Sequence, residues 1–389
     1  MYQKLYVHYV IKQKNLFYQQ YSIKISFRTT NKPHYLFQFQ KMYIYYNIDI
    51  IIQIHFQNCA IFPCKMGCSA DQKTVETNST LNAVVGDVSK DKYCQAAERI
   101  YKAINGKGTD EAELIAVAST FNDEERVKIG DAFNKIYSKS VLEALKKDLS
   151  GDFENLMIEL FSGERYTKWA EYIHTCIKGA GTDEKRLLPL VFLMTDDEQP
   201  KIAAEFKRLY KTDMIEMIEG DIGNGDWDKL VKGWLKAKND GAANAEGLAD
   251  EIFEAAKGAG TDEETFMIVL CKCNSLLYKD VNEAYATKYN KTIVDTITAE
   301  MSGKNEYAFL LAHYALLDRR QAVAFALYKA FKGMGTDESG LNNLTVLFSS
   351  IVNSGVLEQA YSQFGEIQKD IKGDLKGDYE KAILAMWGF

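Results

Sequence analysis

From about Lys92 onward the chain places apolar residues three and four positions apart. In "AAERIYKAIN", Ala97, Ile100, Tyr101 and Ile104 fall on one stripe. In "LADEIFEAAK", Leu248, Ile252, Phe253 and Ala256 do the same. That spacing follows the turn of an α-helix and predicts amphipathic helices. More such segments follow the first: "DEERVKIGDAFNKIY", "KSVLEALKKDL" and "DFENLMIELF". A unit of about five helices emerges, on a background poor in strand patterns, and the unit recurs.

A glycine loop marks each recurrence. It reads "GKGTDE" at Gly106–Glu111, "GAGTDE" at Gly179–Glu184 and Gly258–Glu263, and "GMGTDE" at Gly333–Glu338. The loops lie 73, 79 and 75 residues apart. Each follows an amphipathic stretch and opens another helix. Thr109, Thr182, Thr261 and Thr336 are expected as the N-caps, with Asp and Glu in the first turn.

A second signal runs in step with the first. An acid stands 42 residues after the first glycine in three loops (Asp148, Asp221, Glu300) and 41 after it in the fourth (Asp374). Each sits in a turn between two helical stretches. One such acid alone would be a solvated turn residue; four in step with four loops argue for a shared task. Gly-X-Gly can turn the backbone with its carbonyls outward, because glycine tolerates positive φ. Carbonyl oxygens plus one carboxylate form a hard, oxygen-only donor set. Ca²⁺ takes such sets with a flexible, high coordination number, whereas Mg²⁺ wants a tighter octahedron. The set leaves positions for water or a lipid phosphate. Such a site is expected to be weak alone, roughly 10⁻⁴–10⁻³ M. Several on one face would gain avidity.

These residues resemble the annexins. The family's signature is a fourfold repeat of about seventy residues with K-G-x-G-T-D-E after the first helix and an acid some forty residues on, often followed by S-G. Here the loops read "INGKGTDE", "IKGAGTDE", "AKGAGTDE" and "FKGMGTDE", and "DLSGDF" and "KGDLKGDY" match the acid turn. The resemblance spans residues 90–389. It implies an all-α fold of four five-helix repeats in a curved disc, at residues 92–164, 165–240, 241–316 and 317–389. It also implies Ca²⁺-dependent binding of the convex face to acidic phospholipid. Carried over, the ligands are the carbonyls of Ile104, Gly106 and Gly108 with Asp148; Ile177, Gly179 and Gly181 with Asp221; Ala256, Gly258 and Gly260 with Glu300; and Phe331, Gly333 and Gly335 with Asp374.

The chain also departs from the pattern. Asn105 replaces the loop lysine in the first repeat. The turn "DIGNGDW" is one residue longer than "DLSGDF", so alignment from its later glycine would put Ile222 in place of Asp221. The arginine expected near the end of each second helix is absent from "AVASTFND", "VFLMTDDE", "VLCKCNSL" and "VLFSSIVN". That marks a divergent member, similar to the giardins, annexin-like and partly cytoskeletal proteins of flagellated protists.

Charge and composition sharpen the picture. Residues 1–65 carry a net +7 and residues 66–389 a net −14. The acidic part should repel nucleic acid, and anionic lipid too unless a cation intervenes. Four prolines in 389 residues suit a helical chain. Seven cysteines without a CxxC pair suit a reducing cytosol and inert thiols. The first 65 residues differ in composition, as in "MYIYYNIDIIIQIHFQ". They read as a β-prone, poorly ordered extension, or as upstream sequence outside the native protein, with translation starting at Met66; we favour the second. Such a start would expose Gly67 and Cys68, a pair able to take myristate and palmitate. Asp71 stands where that motif wants Ser or Thr, so an ordinary polar tail over residues 66–91 is the favoured reading.

Other signals are bland. "DIGNGDWD" lacks an EF-hand's closing Glu, and "GKGT" lacks the preceding glycine and strand of a phosphate loop. His174 and His313 are expected to be structural, and Trp227 and Trp234 to pack in the core. No nucleophile–base pair recurs. The expectation is a non-enzymatic, calcium-dependent protein, peripheral at the cytoplasmic face of the plasma membrane. The alternative is a structural protein of the cytoskeleton or membrane cortex with partly lapsed calcium sites.

Overall fold

The apolar stripes fold as helices. A computed structural model describes residues 2–10, 20–28, 91–237, 244–257, 261–333 and 335–389. Met66, Gly67, Cys68, Gly258 and Gly260 lie outside the described residues. The chain divides into two units, Met1–Glu76 and Thr77–Phe389. In the first unit, β1 (Tyr2–Val10) pairs antiparallel with β2 (Gln20–Arg28), Tyr2 opposite Arg28 and Val10 opposite Gln20.

The second unit holds twenty helices among the described residues, in four runs of five. The first run is α1 (Lys92–Ile104), α2 (Glu111–Thr120), α3 (Asp123–Tyr137), α4 (Val141–Asp148) and α5 (Gly151–Phe161). The second is α6 (Arg165–Cys176), α7 (Glu184–Phe192), α8 (Gln199–Tyr210), α9 (Met214–Asp221) and α10 (Asp226–Lys236). The third is α11 (Ala245–Ala255), α12 (Glu263–Lys272), α13 (Ser275–Tyr289), α14 (Ile293–Glu300) and α15 (Gly303–Leu317). The fourth is α16 (Arg319–Phe331), α17 (Glu338–Phe348), α18 (Ser354–Tyr361), α19 (Ile367–Asp374) and α20 (Gly377–Trp387).

Within each run the first helix packs on the third: α1 on α3, α6 on α8, α11 on α13 and α16 on α18. An aromatic pair recurs at or beside that contact. Tyr101 stacks on Tyr137 at 3.9 Å, His174 on Tyr210 at 3.7 Å, Phe253 on Tyr289 at 3.8 Å and Tyr328 on Phe364 at 5.1 Å. The stripe residues Ala97, Ile100, Leu248 and Ile252 are buried beneath. Apolar burial of this kind is the main driving force for stacking such runs.

The runs then pair. The first and fourth meet where α2 packs on α20 and α5 on α17 and α20; the second and third meet where α10 packs on α12 and α15, and α7 on α15. The second and fourth touch through α6 and α17, and there Glu198 is clamped between two arginines. Arg165 Nη1 donates to its Oε1 at 2.8 Å and Arg319 Nη2 to its Oε2 at 2.6 Å. Arg165 Nε also donates to the Leu347 carbonyl at 2.7 Å. A buried carboxylate held by two guanidinium groups ties the second run to the fourth, because losing any partner strands a charge.

A buried arginine closes the end of α2 in the first run. Arg126 on α3 is buried, and its Nε donates to the Leu160 carbonyl at 2.9 Å, its Nη1 to Ala118 at 3.0 Å and to Phe121. It thereby satisfies open carbonyls at the end of α2 and on α5. His313 is buried and pairs through Nδ1 with the Tyr278 hydroxyl at 2.8 Å. Trp227 and Trp234 are half-buried against the core, and Trp234 meets Phe192 edge-on at 5.1 Å.

Candidate metal site

In each run one backbone bond joins the end of the first helix to the start of the second. Asp110 N–H donates to the Ala103 carbonyl at 2.9 Å, Asp183 to Cys176 at 2.9 Å, Asp262 to Ala255 at 2.7 Å and Asp337 to Ala330 at 2.9 Å. The bond ties the residue before the loop's first candidate carbonyl to the start of the next helix. The chain between must make a tight turn. Gly108 at φ 84°, Gly181 at 89° and Gly335 at 97° take the left-handed conformation this turn requires. A side chain at any of the three would be strained, although open space surrounds Gly181. The loop glycines 106, 108, 179, 181, 333 and 335 are exposed.

The helix that follows is capped by Asp rather than Thr. Asp110, Asp183, Asp262 and Asp337 accept from the N–H groups of Glu113, Arg186, Thr265 and Gly340. The expectation of threonine caps is therefore corrected. Asp has the shorter reach to the third N–H of the helix, and this frees the threonine hydroxyl for another partner. Thr109 Oγ1 donates to Asp148 Oδ2 at 2.7 Å, Thr182 Oγ1 to Asp221 Oδ2 at 2.6 Å and Thr261 Oγ1 to Glu300 Oε2 at 3.4 Å. Loop and acid are thus brought together in the first three runs. Among the described residues Thr336 makes no such bond to Asp374.

The acids share one structural address. Asp148, Asp221, Glu300 and Asp374 are each the last residue of an eight-residue helix: α4, α9, α14 and α19. The next residue in each case (Leu149, Ile222, Met301, Leu375) is buried. Its N–H closes back on the helix at Leu145, Ile218, Ile297 and Ile371. An apolar anchor therefore fixes the acid at the helix end. This removes the ambiguity of the longer second turn: Ile222 is the anchor and Asp221 the acid. The extra residue there is accommodated by Asp228, which is buried and accepts from Gly223 N–H at 3.0 Å and Gly225 N–H at 2.8 Å.

A carboxylate at a helix C-terminus is electrostatically unfavourable, since the last carbonyls already make that end negative. Three of the acids are exposed and Asp221 is half-buried, so water can offset the repulsion. A cation would offset it better. Among the described residues no three His, Cys, Asp or Glu side chains converge as a metal set. An ion here would depend on main-chain oxygens together with one acid. The chemistry of the donors fits Ca²⁺: all are oxygen, the glycine turns are exposed, and no side-chain cage imposes a small octahedron.

Sequence reading missed several groups around the site. Lys304 pairs with Glu184 across the second and third runs, and Asn305 Nδ2 donates to Asp226 Oδ2 at 3.1 Å. The corresponding junction between first and fourth runs forms an open groove of about 440 Å³ rich in carboxylates. Lys376 in that groove caps the end of α19. Its signal was present in "KGDLKGDY", where "DLSGDF" has serine.

Comparison with known proteins agrees with the fold. The family profile described as Annexin matches residues 95–160, 168–234 and 248–312. Annexin A5 of Bos taurus is 31% identical over 299 residues, covering 75% of this chain and 92% of that protein. The calcium-bound structure of alpha-14 giardin superposes with a TM-score of 0.69 at 25% identity, covering 76% of this chain and 99% of that one. Chicken annexin V superposes with a TM-score of 0.69 at 28% identity, covering 77% and 97%.

Proposed function

The chain belongs to the annexin family, and from that premise we propose that it binds acidic phospholipid surfaces through calcium ions held at its Gly-X-Gly loops. The observation that carries this reading is the Thr109–Asp148 bond and its counterparts at Thr182 and Thr261, which join each loop to a distant acid. In the first run the carbonyls of Ile104, Gly106 and Gly108 would hold the ion with Asp148. In the second the set is Ile177, Gly179, Gly181 and Asp221; in the third Ala256, Gly258, Gly260 and Glu300; in the fourth Phe331, Gly333, Gly335 and Asp374. The ion would supply positive charge between two negative partners, an acidic protein and an anionic headgroup.

The protein's own residues do the rest. The closing bond to Asp110 and its equivalents shapes the turn. The threonine hydroxyl orients the acid. The buried anchor after the acid keeps it from swinging away. No helix among the described residues is long and apolar enough to cross a membrane. Attachment would therefore be peripheral and reversible, at the cytoplasmic face of the plasma membrane, and no catalytic step is involved. Co-sedimentation with phosphatidylserine vesicles, with and without a calcium chelator, tests the reading. Calcium-independent retention on filaments without any lipid response would favour a cortical, cytoskeletal role in its place.

A further inference from the structure

Three of the four acid turns share one layout, and one of these three differs at a residue that bears on the ion. After α4 and α14 the chain continues with Ser150 and Ser302, whose side chains make no capping bond. After α19 the corresponding residue is Lys376. Its ammonium folds back onto the end of α19, donating to the Lys372 carbonyl at 2.8 Å and the Gly373 carbonyl at 3.3 Å. Those carbonyls belong to the two residues before Asp374. The negative end of α19 thus already carries a cation, supplied by the chain.

The surroundings explain why it stays. Lys376 lines the groove between the first and fourth runs, together with Glu111, Asp148, Asp152, Glu338, Asp374 and Asp378. Six carboxylates draw an ammonium in, and the helix end gives it acceptors. The fourth run is also the one where the threonine does not bond the acid: Thr336 and Asp374 are unpaired with each other, unlike Thr109 and Asp148 at 2.7 Å. The second run has a lysine at its turn as well, but Lys232 reaches Gly223 O at 2.6 Å and Asn224 Oδ1 at 3.1 Å, past the acid rather than before it. There Thr182 keeps its bond to Asp221.

We propose that Lys376 is a tethered cation that competes with calcium at the fourth loop and makes that loop fill at higher calcium than the second. The inference rests on the calcium reading of the loops. Two cations near one acid repel each other, so an ammonium held at the end of α19 raises the calcium needed beside Asp374. The fourth loop then acts as a high-threshold site, adding its membrane contact only after the others are engaged.

Lysine can be exchanged for serine here without backbone strain. Lys376 has φ −142° and ψ 157°, against −153° and 159° for Ser150 and −146° and 161° for Ser302. The test is a calcium titration of the full chain followed by amide NMR of the loop glycines. In the natural sequence Gly335 should respond at higher calcium than Gly181. In both Lys376→Ser and Lys376→Met the Gly335 midpoint should fall about fivefold, the order expected for removing one unit charge from beside an exposed divalent site. The Gly181 midpoint should stay fixed, because neither Gly181 nor Asp221 lines the groove that holds Lys376, and this also shows that the variants are folded. Unchanged Gly335 midpoints in both variants would overturn the proposal. So would a fourth loop silent to calcium in all three proteins while Gly181 responds, and the calcium reading of the other loops would then survive. If calcium moved no loop glycine, the calcium reading itself would fall.

Discussion

Thr109 Oγ1 donates to Asp148 Oδ2 at 2.7 Å, joining residues 39 positions apart at the mouth of an exposed glycine turn. The bond orients the acid before any ion arrives. Thr109→Val keeps the side-chain shape and removes the donor. It should cost about 1 kcal/mol of stability and raise the calcium needed at the first loop about threefold. Amide shifts of Gly108 during a calcium titration read the second effect, and denaturant unfolding reads the first. An unshifted Gly108 midpoint would show that the hydroxyl does not prepare the acid.

The third loop has the longest such contact, 3.4 Å from Thr261 Oγ1 to Glu300 Oε2. Glu is one methylene longer than Asp, and it reaches the loop with more freedom. Glu300→Gln removes the charge and keeps the size. Calcium-driven vesicle binding should weaken, with a midpoint several-fold higher, while unfolding without calcium should change little because Glu300 is exposed. Calcium sensitivity identical to the unmodified chain would remove this acid from the set.

Arg126 supports architecture rather than the ion. Replacing it with Met would leave the carbonyls of Ala118, Phe121 and Leu160 short of a buried donor. The loss should be about 2–4 kcal/mol. Chemical denaturation measures it. Calcium midpoints at the first loop should remain where they were, since Arg126 makes no contact with Thr109 or Asp148.

Acid should weaken the fold in two stages. Burial pushes His313 down to about 3, so the unfolded chain takes up a proton near pH 6.5 while the folded one does not. Stability therefore falls as pH drops from about 6.5 toward 3, by about 1.4 kcal/mol per unit at most. Glu198 acts lower. Burial works to raise it, but the charges of Arg319 and Arg165 prevail and hold it below the ordinary carboxylate range. Its contribution is present above that range and is lost as pH falls through the lowered folded value. Thermal unfolding from pH 7 down to about pH 3 and below checks both. His313→Phe should flatten the upper part of the curve, and Glu198→Gln the lower part, at a cost in stability at pH 7.

Much of this was legible in the letters. The stripe of Ala97, Ile100 and Ile104 gave α1, and "DEERVKIGDAFNKIY" coincides with α3 residue for residue. The fourfold loop and acid spacing led to the annexin family before any coordinates. The cap was misread because Thr and Asp are adjacent and both are good caps; only three dimensions show that Asp turns to the helix and Thr to the acid. Spacing alone could not choose between Asp221 and Ile222, since one extra turn residue shifts the count. The structure buries Ile222 and sets Asp221 beside Thr182. The contacts of Arg126 and Lys376 were hidden for a different reason: each depends on where a long, flexible side chain comes to rest.

The central claim is that calcium links these loops to anionic lipid. The most direct measurement is co-sedimentation of the full chain with phosphatidylserine vesicles across a calcium series. It is compared with a chain carrying Asp148→Asn, Asp221→Asn, Glu300→Gln and Asp374→Asn. The natural chain should bind with calcium and release with chelator, and the substituted chain should stay in solution at every calcium level used. Equal calcium-dependent binding by the two chains, or none by the natural one, would contradict the account.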